Sequence, residues 1–212
     1  PRVRLSRRRR RRRKRLLTKI TLAAAIVLAA LTAYGVVVFI RLGQAGVHLT
    51  AARDASQRAA SALRDNDIRE ARSELKKSSD EFVRARNLLS TIEVKALRKV
   101  PVVGSNIKVA TAVTLAGIKV TDSGTVVLEA ARILEDDEGR ISFPYESGRV
   151  DLDKIEALQG PAARAASSVA DAAYAVEQSP SSMLIGPVAK ARAEFLERLA
   201  ELRNRLEEAS AY

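Results

Sequence analysis

The stretch ITLAAAIVLAALTAYGVVVFI, Ile20 to Ile40, runs for 21 residues without a charged side chain. A helix of that length rises about 30 Å, the thickness of the hydrocarbon core of a bilayer, so the run is expected to span a membrane. Tyr34 and Phe39 fall toward its far end, where aromatic rings suit the interface, and Arg41 closes it. Directly before it stands SRRRRRRRKRLLTK, Ser6 to Lys19. Residues 1–19 hold 12 of the 37 Lys and Arg and no acid, whereas Arg41 is the only basic residue among the first dozen beyond the span. Basic residues stay preferentially in the cytoplasm, so the expected orientation is N-terminus inside and C-terminal region outside. Two rivals are a buried helix of a soluble protein and a cleaved signal peptide. The first does not explain the length and flanks. The second has a shorter apolar core ending in an A-x-A-like site, for which LTAYG is a weak candidate. The pattern favours an uncleaved anchor.

From Ile20 onward 25 basic residues face 25 acidic ones, so the net charge of +12 belongs to the tail. A fold that binds nucleic acid over its surface carries a basic stripe, and this balance points to no nucleic-acid partner. The tail instead reads as a cytoplasmic foot on anionic lipid, with Arg7, Arg8, Arg9, Arg10, Arg11, Arg12, Arg13, Lys14, Arg15 and Lys19 as the headgroup contacts. Recruitment of an acidic cytoplasmic partner or of nucleic acid by the tail is the sharper alternative, which a polybasic run alone does not distinguish.

Beyond the span the sequence reads as helices separated by turns. An Ala-rich helix over Val47 to Leu63 ends at Asp65-Asn66-Asp67. Asp67, with Glu70 three residues on, forms a variant of a capping box and opens a second helix faced by Ile68, Ala71, Leu75, Phe82, Ala85, Leu89 and Ile92. The pair reads as a helical hairpin. In RKVPVVGSNIK, Pro101 and Gly104 are expected to break the helix, with Ser105 or Asn106 capping the next. Ile107 to Leu134 is a candidate buried helix, although Gly117 and Gly124 weaken it; Lys108 and Lys119 bound its apolar run to ten residues, too short for a second span. Glu135 to Lys154 reads as a polar loop, with a short strand near Ile141 to Phe143, and is the place to expect a partner contact.

Two further helices follow. The first, about Asp153 to Gln178, has a kink or restart at Gly160-Pro161 and is lined by Ile155, Leu158, Ala165, Val169, Ala172 and Val176. The second begins near Pro187 and presents Val188, Ala191, Phe195, Leu199, Leu202 and Leu206. The expected fold is therefore all-α: a single N-terminal transmembrane helix followed by an extracytoplasmic bundle of four to five helices. Its parts are a polybasic tail at 1–19, the span at 20–40, a membrane-proximal hairpin at 41–99, and a bundle at 100–212 containing the loop 135–154.

The sequence offers little chemistry. It has no Cys, which excludes thiolate ligands, disulfides and a Cys nucleophile, and His48 is its one histidine, too few for a metal set or a convincing triad. No phosphate-binding glycine loop occurs, and the absence of Trp with only eight Phe and Tyr disfavours a base-stacking platform. The run Glu135 to Glu138 lacks the ligand alternation of a calcium loop and reads as a solvated helix end, while Asp151 and Asp153 read as helix-start acids. No catalytic, cofactor-binding or metal residue is assigned, and no cofactor is expected.

The Arg-rich tail, the span, the hairpin, and then KVPVVGSNIKVA (Lys99 to Ala110), GRVDLDKIEAL (Gly148 to Leu158) and LIGPVAKARAEF (Leu184 to Phe195) resemble the N-terminal half of the uncharacterised domain-of-unknown-function 4012 family. That resemblance implies a membrane-anchored envelope protein of Gram-positive actinobacteria, in which a larger C-terminal domain follows the helical region. It carries over no catalytic residues. Starting at Pro1 and stopping at Tyr212, the chain is expected to be an anchor and stalk within something longer. The partners expected are a membrane with anionic lipids, and other envelope proteins or copies of itself. The alternatives are the anchor of a glycopolymer-processing enzyme whose catalytic domain lies further on, and an extracytoplasmic sensor module.

Overall fold

Asp67 opens a strongly amphipathic helix. In the computed structural model, which describes residues 40–136, 140, 145–146, 149–150 and 152–210, its carboxylate accepts the backbone N–H of Glu70 at 2.8 Å. Helix α2 (Ile68–Leu89) then buries Ile68, Ala71, Phe82, Ala85 and Leu89, the spacing expected of one amphipathic face. Before it, α1 occupies residues 40–64 and turns through Asn66, which adopts a positive φ of 62°. Ala45, Ala52, Ala55, Ala59 and Ala62 are the buried positions of α1. Alanine lets two helix backbones approach closely, and here they do: the buried hydroxyl of Ser78 on α2 donates to the Ala52 carbonyl across the interface at 2.9 Å and lies 2.7 Å from the Ser56 hydroxyl.

After α2 come a short helix α3 (Ile92–Leu97) and the long helix α4 (Pro101–Ala130), continued by a 3-10 turn over Ala131–Leu134. A two-residue antiparallel ribbon, β1 (Tyr145–Glu146) and β2 (Arg149–Val150), pairs Tyr145 with Val150 and Glu146 with Arg149. Helices α5 (Leu152–Glu177) and α6 (Gly186–Ser210) complete an all-helical architecture of six α-helices among the described residues. Helix α4 is its centre, lying against α2, α5 and α6. Its middle joins Ala116 to Val169, Ala172 and Val176 of α5 and Leu199 of α6, with Phe195, Leu202 and Leu206 packed alongside.

Several expectations are corrected. The helix does break before Pro101, but the next one starts at Pro101 itself and not near Ile107, because the fixed φ and missing N–H of proline suit the first helical position. Gly104 is no turn but a buried contact: a Cβ there would lie 2.3 Å from the Arg98 carbonyl oxygen. Ser105 and Asn106 do not cap; they donate to the Pro101 and Val102 carbonyls one turn back. Ile92 is 84% exposed and starts α3, off the α2 face, and that extra helix raises the number above four to five. Helix α5 passes through Pro161 without interruption, and Ala191 of α6 faces out.

Among the described residues one helix, Pro101–Leu134, is long and apolar enough to cross a membrane by length and composition. Counting only between Lys108 and Lys119 missed this, since apolar sequence extends on both sides of that pair. The helix packs against α2, α5 and α6, yet only 33% of its most apolar window is buried, and Leu115 and Val126 stay exposed. Its Thr content is accommodated internally: the buried Thr114 and Thr121 hydroxyls donate to the Ala110 and Gly117 carbonyls. Lys119 reaches Asp171 of α5 at 2.6 Å. The tail 1–19 with its ten headgroup-contact residues, positions 20–39 of the expected span, the strand near Ile141 to Phe143 and Asp151 all lie outside the described residues.

The chain divides into two units, Pro1–Arg41 and Leu42–Tyr212. Within the second, successive long helices run antiparallel. On α1 and α2, His48 meets Glu81 and Arg58 meets Glu74. On α2 and α4, Phe82 abuts Gly117 and Leu75 abuts Gly124. On α4, Lys119 meets Asp171, and Asn106 meets the connector at Met183 and Ile185. One end of this unit therefore gathers the start of α1 at Leu42, the α2–α3–α4 corner and the α5–α6 connector.

Candidate functional site

The polar side chains that the helices bring together lie mostly along α2. Nearest the Leu42 end, His48 Nδ1 sits 2.5 Å from Glu81 Oε2, and Arg84 donates to the other oxygen of the same carboxylate at 2.5 Å. An ionised carboxylate only accepts, so Nδ1 carries the proton in this contact. Beside the pair lies an open, shallow depression lined by Gln44, Val47, His48, Arg84, Asn87 and Leu88. The lone histidine thus has one acidic partner, 33 residues away in sequence, which no local pattern reveals. The geometry braces α1 against α2 through one hydrogen-bonded pair.

Two turns along α2, Glu74 is a buried carboxylate, 6% exposed. Lys77 and Arg58 both donate to it, Arg58 Nε at 2.7 Å. These hydrogen bonds, that of Lys77 foremost and that of Arg58 next, hold the carboxyl below its ordinary value of 4.5 against the opposing effect of burial. Both cations are themselves more than half exposed, so the pair ties α1 to α2 at an edge of the core.

A third cluster closes the opposite end. Arg72 on α2 donates to Glu135 Oε2 at 3.2 Å and to the Leu128 carbonyl at 3.4 Å, and it approaches Glu129 at 3.3 Å. Arg69 reaches Glu135 at 3.5 Å. Glu135 is therefore not a solvated helix end; its side chain is 12% exposed and clamped by two arginines from α2. Next to it Asp136 accepts the Arg140 N–H at 2.8 Å and donates its own N–H to the Arg140 carbonyl at 2.9 Å. Among the described residues no group of three His, Cys, Asp or Glu side chains is placed to hold a metal ion.

At the α5–α6 connector, Asn106 works as a backbone clamp. Its amide nitrogen donates to the Met183 carbonyl at 3.1 Å, and its amide oxygen accepts the Ile185 N–H at 3.0 Å. Met183 between these contacts holds a positive φ of 59°. Arg192 completes the joint by donating to the Glu177 carbonyl at the end of α5 and to the Ser179 hydroxyl.

Comparison with protein-family models, with curated proteins and with solved structures finds no match for this chain. The family resemblance therefore rests on the residues that suggested it.

Proposed function

We propose that this chain is a single-pass, membrane-anchored envelope protein with a structural or protein-interaction role, its N-terminus cytoplasmic and its helical region outside. The observation that carries this reading is the 21-residue uncharged run Ile20 to Ile40 with 12 basic residues before it. In support, the cross-braces from His48 to Glu81, Arg58 to Glu74 and Arg72 to Glu135 give a stalk fixed points along its length. The resemblance to membrane-anchored envelope proteins points the same way.

The test is topological. Reporter fusions at Pro1 and Tyr212 are expected to report opposite sides, and alkaline extraction is expected to leave the chain with the membrane. A cytoplasmic Tyr212 overturns the orientation, and release by alkali overturns the anchor. Cross-linking in intact cells is expected to trap the region beyond residue 41 with envelope proteins or with itself; a region that stays monomeric and without neighbours overturns the interaction role.

A further inference from the structure

The large apolar side chains that stay exposed are not spread evenly over the Leu42–Tyr212 unit. Ile92, Val100, Val102, Val103, Met183 and Ile185 all belong to the α2–α3–α4 corner and the α5–α6 connector, and Val47 lies at the adjoining start of α1. These seven are half of the fourteen such side chains exposed among the described residues, and several are prominent: Ile92 is 84% exposed, Met183 59% and Ile185 53%. They form one tip, not separate spots, because the Asn106 amide nitrogen donates to both the Val102 and the Met183 carbonyl and so holds the first turn of α4 beside the connector. A contiguous exposed apolar surface on a soluble face is uncommon and marks a binding surface.

Charge follows the same axis. Residues 82–110, which make this corner, hold six Lys and Arg against the single acid Glu93, in a chain that is neutral overall from Ile20 onward. Lys95, Lys99 and Lys108 are exposed around the apolar tip. The tip is thus basic as well as apolar.

We propose that this end docks onto the surface of an anionic lipid bilayer, with Val102, Val103, Met183 and Ile185 at the boundary between headgroups and acyl chains and Lys95 and Lys99 on lipid phosphates. Apolar side chains rimmed by lysines are the composition that binds such a surface. What selects lipid over another occupant is connectivity: the docking end is the end where the chain enters the unit at Leu42, directly after the uncharged run that ends at Ile40. The inference rests on the proposed anchor and adds a lipid contact made by the helical unit itself.

The absence of Cys makes the test direct. In the full chain reconstituted into vesicles of phosphatidylglycerol and phosphatidylcholine, Val102→Cys, Met183→Cys and, at the opposite end, Ile133→Cys each carry an environment-sensitive fluorophore, with unchanged circular dichroism as the folding control. Labels at 102 and 183 are expected to shift to the blue and to be quenched by brominated acyl chains, and the label at 133 to behave as in water. In that background Lys95→Gln and Lys99→Gln are each expected to lower the docked-to-lifted ratio about fivefold, an effect that salt screens. Labels at 102 and 183 as water-exposed as that at 133, in a chain that resists alkaline extraction, overturn the docking while leaving the anchor standing. A chain that alkali extracts removes the anchor and this inference together. Protection that disappears as the protein is diluted in lipid assigns the tip to a second copy and overturns docking on lipid.

Discussion

Gly117 on α4 and Phe82 on α2 make a contact whose strength can be read by a double-mutant cycle. The glycine is buried, and a Cβ placed on it would lie 2.5 Å from Cε1 and Cζ of the Phe82 ring and 2.7 Å from Cε2. Carbon atoms pack at about 3.5–4.0 Å, so ring or helix must yield by about 1 Å in a closely packed interior. Phe82 is 6% exposed and has no open side to turn toward. Overpacking of this kind costs about 1–3 kcal/mol, whereas replacing glycine by alanine inside a helix returns about 1 kcal/mol. With the ring trapped, the upper part of that range applies, and Gly117→Ala is expected to destabilise by about 2 kcal/mol, lowering the melting temperature by about 4–8 °C for a chain of this size. In a Phe82→Ala background, itself about 3–5 kcal/mol less stable, the clash is gone and the same substitution is expected to stabilise by about 1 kcal/mol. The two outcomes differ by a coupling of about 3 kcal/mol, measured by thermal and urea unfolding of the full chain in detergent. Gly124→Ala is the control, since its Cβ would meet only the mobile Cδ2 of Leu75 at 2.9 Å. An equal effect of Gly117→Ala in both backgrounds, or a gain in the native one, refutes the packing argument.

Glu74 predicts a pH dependence. Its folded carboxyl titrates below 4.5, so its contribution to stability is complete above that value and is lost as pH falls through the lower folded value. Glu74→Gln is expected to flatten the melting temperature against pH in that acid window, and an unchanged profile counts against the Lys77 and Arg58 hydrogen bonds. Asn106→Ala removes both connector bonds and is expected to cost about 1–2 kcal/mol and to speed hydrogen exchange at the Ile185 amide, whose acceptor it is; unchanged exchange there refutes the clamp. Asp67→Ala is expected to cost about 1 kcal/mol and Asp67→Asn much less, since either Asp or Asn accepts the Glu70 N–H. Equal losses in the two variants, measured by urea unfolding, argue against the cap.

How much of this was legible in the sequence depends on the distance over which each residue acts. Asp67 and the buried positions of α2 were legible because a cap and an amphipathic stripe are local: the relevant partners lie within a few residues, and the period of 3.6 reports the face. Helix α4 resisted the same reading for a physical reason. Its apolar residues keep to no single face, so its periodicity names no partner, and its Pro101 and Gly104 carry the residue types of a turn while serving as a first helical position and a close approach to Arg98. Pro101 as a helix start and Pro101 as a helix stop look alike until it is known which side is helical. The polar contacts were less legible still. Glu135 looks solvated in a run of acids, and only folding delivers Arg72 from 63 positions away; His48 finds Glu81 at a separation of 33. The apolar tip is the extreme case. Val47, Ile92, the Val100–Val103 turn and the Met183–Ile185 connector come from three separate regions, each too short to stand out in a hydropathy window. They become one surface because α1, α2, α4 and α5 alternate in direction. A basic, apolar end that follows from antiparallel order alone would vanish in any topology that reversed one of these helices. For that reason the lipid-docking test is also a test of the order in which the helices pack.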